Sequence, residues 1–124
     1  HNPHAAKELA KTLSELPKAT CQAAVFGMLS DKDRAQVCQI MASSFDKWYV
    51  SDLHGPRGGT AKDLCAMLGE AGVPQEKIRT FKTVEEALQQ ALEEAQETDR
   101  IVTFGSFLTV ASAIEFLKER VGRN

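Results

Sequence analysis

Residues 21–27 read Cys-Gln-Ala-Ala-Val-Phe-Gly, a short apolar run that ends in glycine and leads into a segment with helical spacing. A short apolar run bounded by turn residues is typical of a strand buried on both faces of a sheet. In the segment that follows, Val37, Ile40 and Met41 recur at the spacing of one helix face. The stretch therefore predicts a strand–helix unit, and the rest of the chain repeats it.

Three more such units follow, and one helix precedes the first. Strands are predicted at residues 48–50, 78–81 and 100–104, and the first helix at residues 3–16, where Pro17 stops it. The later helices are expected to begin at Ser30 (with Asp33 completing a capping box), at Thr60, at Thr83 and after the turn Gly105-Ser106-Phe107. This alternation predicts an α/β fold: a Rossmann-like, mostly parallel sheet with helices on both faces.

Apolar periodicity also predicts how two of the helices face the sheet. The last helix is expected to pack inward through Val110, Ile114, Leu117 and Val121. The helix that begins after Thr83 has an acidic set off its apolar side, namely Glu85, Glu93, Glu94 and Glu97. We interpret that acidic set as a solvated face.

Composition is that of a single globular domain covering residues 1–124. The chain is 43% hydrophobic and 26% charged, with a net charge of −2. Nucleic-acid binding, which needs a basic excess, is not expected. No apolar run approaches the roughly 20 residues that cross a bilayer, so no membrane contact is expected either. Cys21, Cys38 and Cys65 are widely spaced and are interpreted as reduced, mostly buried side chains of a cytoplasmic protein.

The chain opens on His-Asn-Pro-His-Ala-Ala, residues 1–6. Asn2 is expected to cap the first helix, with Pro3 at the first helical position. His1 would then lie beside the positive end of that helix, where anions are favoured. Because a helix of this kind normally follows a strand, we expect that one or more N-terminal strands of a parent domain are missing from this chain.

Glycine-rich and polar clusters follow the predicted strands. Ligands of such sheets bind beyond the carboxyl ends of the strands, so these clusters mark the candidate site. Gly105-Ser106 offers a hydroxyl and helix N–H groups to a carboxylate or phosphate, and the Arg57 guanidinium suits the same anions. Lys32 suits an anion or a domain interface. Ordinary caps and turns account for each cluster about as well.

Several catalytic signatures are absent from the sequence. There is no GxxxxGK[ST] phosphate loop, no GxGxxG fingerprint and no carboxylate pair placed for acid–base chemistry. His1 and His4 are three residues apart, but no third ligand follows at metal spacing. We therefore predict no catalytic residue and no metal ligand within this chain.

Four motifs together resemble one family. They are HNPHAA at 1–6, GMLSDKD at 27–33, GPR at 55–57, and GSF at 105–107 with Thr109-Val110. In this order and spacing they resemble the C-terminal domain of folylpolyglutamate synthase, above all the bacterial form that is also a dihydrofolate synthase. The resemblance implies an ATP-dependent ligase, similar to the Mur ligases, that joins L-glutamate to folate or dihydropteroate through an acyl phosphate.

The resemblance also implies how the work is divided. ATP and Mg²⁺ would be held mainly by a larger N-terminal P-loop domain, so this domain would be inactive alone, with no cofactor of its own, in a monomeric parent. His1 would position the incoming glutamate, Ser106 would contact its carboxylate, and Asn2 would shape the same turn. Asp31, Lys32 and Arg57 match family positions and are candidate site or interface residues.

The alternative is a free-standing, non-catalytic α/β binding or interaction module. It predicts a start codon just upstream of His1 and a polar, complete sheet edge, whereas the ligase hypothesis predicts a strand ending in Asp-x-Ala immediately before His1. A receiver-like nucleotide-binding module is a weaker alternative, because the separate aspartates expected on successive strands are missing.

Overall fold

The computed structural model describes residues 2–30 and 32–122, which form five helices and four strands. The strands are β1 (Gln22–Phe26), β2 (Lys47–Ser51), β3 (Ile78–Phe81) and β4 (Arg100–Phe104). The helices are α1 (Pro3–Glu15), α2 (Arg34–Met41), α3 (Ala61–Glu70), α4 (Val84–Glu94) and α5 (Phe107–Gly122). Single 3₁₀ turns at Ala42–Ser44 and Gln75–Lys77 precede β2 and β3. None of the described helices is both long and apolar enough to span a membrane.

The four strands form one parallel sheet in the order β3-β2-β1-β4. Val25, in the central strand β1, lies opposite Tyr49 of β2 and Thr103 of β4. Helices α1, α2 and α3 pack on one face of the sheet, and α4 and α5 pack on the other. The predicted α/β class and the predicted order of elements are confirmed.

Side chains of β1 alternate between the two cores, as the period of a strand requires. Phe26 is fully buried on the face covered by α1, α2 and α3, where its ring centroid lies 5.4 Å from that of Trp48 and 4.8 Å from that of Phe104. Val25 is fully buried on the opposite face, beneath α4. The apolar run 21–27 is therefore double-sided, which explains why it lacks the alternation of a half-exposed strand.

Three of the predicted caps form as expected. The side chains of Asn2, Thr60 and Thr83 accept hydrogen bonds from the N–H groups of Ala5, Asp63 and Glu86, at 2.8, 3.2 and 3.1 Å. Helix α1 ends at Glu15, one residue earlier than predicted. Leu16 precedes Pro17 and takes an extended conformation with ψ of 156°, because a following proline disfavours the helical one.

The predicted start of α2 at Ser30 is wrong. The helix begins at Arg34, and its N-cap residue Asp33 makes no side-chain cap bond. Both the N–H and the hydroxyl of Ser30 instead donate to the carbonyl oxygen of Arg57, at 2.8 and 3.1 Å. A serine engaged with a partner 27 residues away is not available to cap the helix that follows it.

The predicted inward face of α5 is also wrong. Ile114 is 48% exposed and Leu117 is 43% exposed. The helix packs instead through Thr109 and Ala113, which are buried, with Phe116 half-buried beside them. The predicted contact of Val121 falls on a side chain outside the described residues. The predicted positions and the observed ones both recur at helical spacing. Choosing the more apolar of the two helix faces as the buried one gives the wrong face here.

The outer stripe of α5, which we define as Val110, Ile114 and Leu117, has a definite orientation. Leu108 and Ser112 line a cleft shared with the first turn of α4. The outer stripe lies on the opposite flank of the helix and therefore faces away from α4. Since α5 packs on β4 and is the last helix on this face, the outer stripe lies above the outer edge of β4.

The outer strands of the sheet differ in character. β3 carries the exposed residues Arg79 and Thr80, the kind of charged and polar side chain that discourages further strand pairing. β4 carries Ile101 and Val102, which are half-buried. Among the described residues, β4 pairs with β1 alone, so its other side is an edge of the sheet. Because of Ile101 and Val102, this edge is more apolar than the edge at β3.

The three cysteines are free, as predicted. Cys38 is fully buried in the core beneath α2, and this burial raises the pKa of its thiol to about 12. Cys21 and Cys65 are only half-buried, so burial is less complete than expected. The buried Cys38 thiol acts as a small apolar side chain in the core.

On the exposed acidic side of α4, Glu94 is bound to residues of the sheet. The Tyr49 hydroxyl donates to Glu94 Oε1 at 2.5 Å, and Arg79 Nη1 donates to Glu94 Oε2 at 2.8 Å. These bonds, the one from Tyr49 foremost, hold the pKa of Glu94 below its usual value. Burial first, and then the bond to Glu94, raise the pKa of Tyr49. Glu94 therefore ties α4 to both β2 and β3.

We expect Glu94→Gln to lower the free energy of unfolding at pH 7 by about 1 kcal/mol, because charge-assisted hydrogen bonds at a partly exposed site are lost. A carboxyl whose pKa is lowered on folding stabilises the protein above its unfolded pKa, and that stabilisation is lost as the pH falls through the folded pKa. The difference between the two proteins should therefore shrink as the pH falls below the usual carboxyl range and through the lowered folded pKa. Urea unfolding at pH 7 and at pH 3 measures the difference, and a difference as large at pH 3 as at pH 7 would contradict the assignment.

Candidate ligand-binding site

The candidate site is the crevice between the carboxyl ends of β1 and β4, where the connections from two neighbouring strands run to opposite faces of the sheet. These strands are neighbours, yet the chain leaves β1 toward the face that holds α2 and leaves β4 toward the face that holds α5. Open α/β sheets bind ligands at such a switch point, beyond the carboxyl ends of the strands. The loops 27–33 and 105–106, both predicted as candidate site segments, flank this crevice.

Gly105 closes the crevice at its base. Its φ is +121°, and a Cβ atom there would lie 2.1 Å from the carbonyl oxygen of Gly27. Only glycine can adopt this conformation and leave room for this approach. The same Gly27 oxygen accepts a hydrogen bond from Thr109 Oγ1 at 2.8 Å. The turn after β4 is therefore interlocked with the turn after β1.

Ser106 caps α5 and is almost completely buried, with 4% exposure. Its Oγ accepts from the Thr109 N–H at 3.1 Å and lies 2.9 Å from Thr109 Oγ1. A hydroxyl has one proton, and Thr109 donates its own to Gly27, so Ser106 is the donor in the bond between the two hydroxyls. A bond from Ser106 to a ligand carboxylate would therefore replace its bond to Thr109. The predicted contact with glutamate stays a prediction.

A cavity of about 200 Å³ opens beside this turn, on the face covered by α1 and α2. Its lining comes from the first turns of α1, from α2 and from the ends of β1 and β4: Asn2, Ala5, Ala6, Leu9, Met28, Val37, Phe104 and Gly105. Asn2 and Gly105, from the two ends of the chain, thus meet at one cavity. Ser106 follows Gly105 but does not line the cavity. The prediction for His1 lies outside the described residues.

Lys32 and Arg57 are exposed on the loops that follow β1 and β2. These strands are adjacent and parallel, so both cations lie at the carboxyl edge of the sheet. Neither lines the cavity beside Gly105. Their roles as site or interface residues stay predictions, and Asp31 lies outside the described residues.

Sequence reasoning did not identify the role of Thr109. This residue entered only as part of a motif, yet it is fully buried and joins the turn after β1 to the cap of α5. The signal that would have identified it is a hydroxyl three residues after a capping serine, within an apolar helix.

Metal-ligating side chains are not clustered in the described part of the molecule. Among residues 2–30 and 32–122, no three histidine, cysteine, aspartate or glutamate side chains come together in a way that could hold one. What the edge offers is the start of helices, N–H groups and basic side chains, which suit an anionic ligand.

The family of the chain follows from its sequence. Residues 1–107 match the family described as Mur ligase, glutamate ligase domain. The chain therefore belongs to this family of ligase domains, and the resemblance read from its motifs is confirmed.

The particular relatives are folate enzymes. The chain is 39% identical over 120 residues to dihydrofolate synthase/folylpolyglutamate synthase of Escherichia coli (strain K12), a match covering 97% of this chain and 27% of the relative. E. coli FolC in complex with ADP superposes with a TM-score of 0.89 at 38% identity, covering 98% of this chain and 28% of that one. A bifunctional folylpolyglutamate synthase/dihydrofolate synthase with Mn, AMPPNP and L-glutamate bound gives a TM-score of 0.81 at 39% identity, covering 95% and 27%. The chain thus spans little more than a quarter of these relatives.

Proposed function

We propose that residues 1–124 are the C-terminal, glutamate-binding domain of an ATP-dependent amide ligase that adds L-glutamate to folate or dihydropteroate. Membership of the glutamate ligase domain family supports this proposal. The observation that carries it is the meeting of Asn2 and Gly105 at one cavity, at the switch point of the sheet. Helix α1 begins at this cavity and α5 begins just beyond Gly105, so the positive ends of both helices favour the carboxylates of an amino-acid substrate at this edge of the sheet.

In the proposed reaction, a carboxyl group of the folate substrate first takes a phosphoryl group from ATP. The amine of glutamate then attacks the carbonyl carbon of this acyl phosphate, an amide bond forms, and phosphate leaves. This domain contributes orientation, because a held amine avoids much of the entropic barrier of a bimolecular step. Ser106 would bind a glutamate carboxylate, Asn2 would shape the adjoining turn, and His1 would orient the incoming amino acid.

The remaining chemistry is assigned to a larger N-terminal P-loop domain of a monomeric, cytoplasmic protein. That domain would hold ATP and Mg²⁺, and the metal would neutralise phosphate charge there. The absence of a GxxxxGK[ST] phosphate loop from this sequence supports this assignment. Asp31, Lys32 and Arg57 would face that domain, and its closure would keep water from the acyl phosphate.

Incorporation of radiolabelled glutamate tests the proposal. The full-length protein, given ATP, Mg²⁺ and either dihydropteroate or a folate, is expected to form a folate–glutamate product with stoichiometric phosphate. The 124-residue chain alone is expected to form none. Product from the isolated chain would contradict the proposed division between domains. No product from the full-length protein with any of these substrates would favour the non-catalytic binding module.

A further inference from the structure

The loops after β1 and β2 are joined by a short two-stranded contact, which we call the clamp. It consists of the antiparallel bridge between Leu29 and Gly58 and of two hydrogen bonds to the carbonyl oxygen of Arg57. The Ser30 N–H donates to that oxygen at 2.8 Å, and the Ser30 hydroxyl donates to it at 3.1 Å. The clamp therefore fixes the backbone of Arg57 relative to the loop that carries Lys32.

The fit around the clamp allows little movement. A Cβ atom at Gly58 would lie 1.7 Å from the carbonyl oxygen of Leu53, and one at Gly59 would lie 2.2 Å from that of Met28. At these distances the backbones of the loops are in direct contact. The sequence Gly58-Gly59 is thus required by close approach, rather than by a left-handed turn.

The largely covered side chain of Arg34 supports the clamp from the α3 side. The position of a Cβ atom on Gly59 lies 3.1 Å from Arg34 Nη1. The Arg34 side chain is 13% exposed, and Nη1 lies 3.8 Å from Asp63 Oδ2 in the first turn of α3. The loop 55–59 is therefore packed between the turn after β1 and an ion pair that joins α2 to α3.

We propose that Ser30 is a positioning residue, and that through the clamp it sets the Arg57 guanidinium to receive an oxyanion of a substrate. Arg57 is exposed at the carboxyl edge, while its carbonyl oxygen is held by Ser30. Planar recognition of a carboxylate or phosphate by arginine depends on such fixed geometry. The oxyanion is a carboxylate of glutamate or a phosphate of ATP, so this inference rests on the proposed function.

Trypsin cleavage after Arg57 reports the clamp directly, because the carbonyl that Ser30 holds is the one that the protease must attack. In the full-length protein, Ser30→Ala removes the hydroxyl bond and leaves the N–H bond. We expect cleavage between residues 57 and 58 to become roughly fivefold faster, the factor that corresponds to one ordinary hydrogen bond. Ser14→Ala is the matched control, since the Ser14 hydroxyl donates to Lys11 O at 2.6 Å, away from the clamp. Ser30→Thr, which keeps a hydroxyl, should restore slow cleavage.

Steady-state kinetics of the same variants separate positioning from mere stability. Ser30→Ala is expected to raise the KM of either glutamate or ATP about fivefold, with kcat within twofold, and the affected substrate identifies the oxyanion. Ser14→Ala and Ser30→Thr should leave both KM values unchanged. Faster cleavage with both KM values unchanged would overturn the proposal, as would unchanged cleavage.

Absence of ligase activity would count against the proposed function and not by itself against the clamp. Equilibrium binding of ATP and of glutamate to the full-length protein and its variants then replaces kinetics. A dissociation constant raised by Ser30→Ala and restored by Ser30→Thr supports the positioning role. Binding of both ligands that is indifferent to Ser30, or no binding of either, overturns it.

Discussion

Replacing Gly105 by alanine is expected to destabilise the protein by about 3 kcal/mol, the combined cost of a left-handed backbone and an overpacked contact. The φ of +121° is costly for any residue with a side chain. The added Cβ would also lie 2.1 Å from the carbonyl oxygen of Gly27, which is backbone that is itself bonded to Thr109. Relief of this clash must separate the turns after β1 and β4.

Gly72 provides the matched control for this prediction. It has a similar φ of +100°, but a Cβ there would meet no atom within 4 Å. Gly72→Ala should therefore cost about 1 kcal/mol, from backbone strain alone. Urea unfolding followed by circular dichroism measures both variants. Equal losses at the two glycines would show that the contact between Gly105 and Gly27 does not restrain the fold.

Replacing Ser106 by alanine in the full-length protein is expected to raise the KM of glutamate about tenfold, the effect of losing one hydrogen bond to a charged group. The KM of ATP should stay within twofold. The reason is the position of Ser106, directly after Gly105 at the start of α5, where a carboxylate is favoured by the helix. Initial rates at varied glutamate and at varied ATP measure the two constants.

The cap of α5 complicates this experiment, and a second variant controls for it. Ser106→Ala also removes the bond from the Thr109 N–H, at a cost of about 1 kcal/mol of stability. Thr83→Ala removes an equivalent cap from α4, where the hydroxyl accepts from the Glu86 N–H at 3.1 Å, and should leave both KM values unchanged. If the KM of ATP rose as much as that of glutamate in Ser106→Ala, the role given to Ser106 would be wrong.

Local sequence signals predicted the strands and most of the helix starts. The predicted strands at residues 100–104 and 78–81 coincide with β4 and β3, because each is a short segment between two segments of helical spacing. Asn2, Thr60 and Thr83 cap as expected, because a cap depends on residues three positions away. Such signals are contained within a few residues of the chain.

Predictions failed where the partner is distant in sequence. Ser30 has the composition of a cap, but its hydroxyl bonds to Arg57, and no local pattern announces that partner. Ile114 and Leu117 of α5 have the spacing of a buried face, but the orientation of a helix is set by what covers it. Both failures come from tertiary contacts that override a local preference.

The sequence could predict at which edge of the sheet the candidate site lies, but not which loops come together there. Loops that follow parallel strands share one edge, so Asn2, Arg57 and Gly105 could be assigned to it from sequence. The order β3-β2-β1-β4 decides which of these loops meet, and it cannot be read from the chain. The approach of Gly105 to Gly27 and the clamp at Ser30 both depend on that order.

The two edge strands differ in how readily another strand could pair with them. At the β3 margin, an added strand would have to bury Arg79, which donates a hydrogen bond to Glu94. At the β4 margin, an added strand would meet main-chain groups that pair with no other strand among the described residues. It would also lie beside the half-buried side chains of Ile101 and Val102 and beneath the outer stripe of α5. Any segment that lengthens this sheet, whether from the same polypeptide or from a neighbouring molecule, should therefore add on the β4 side.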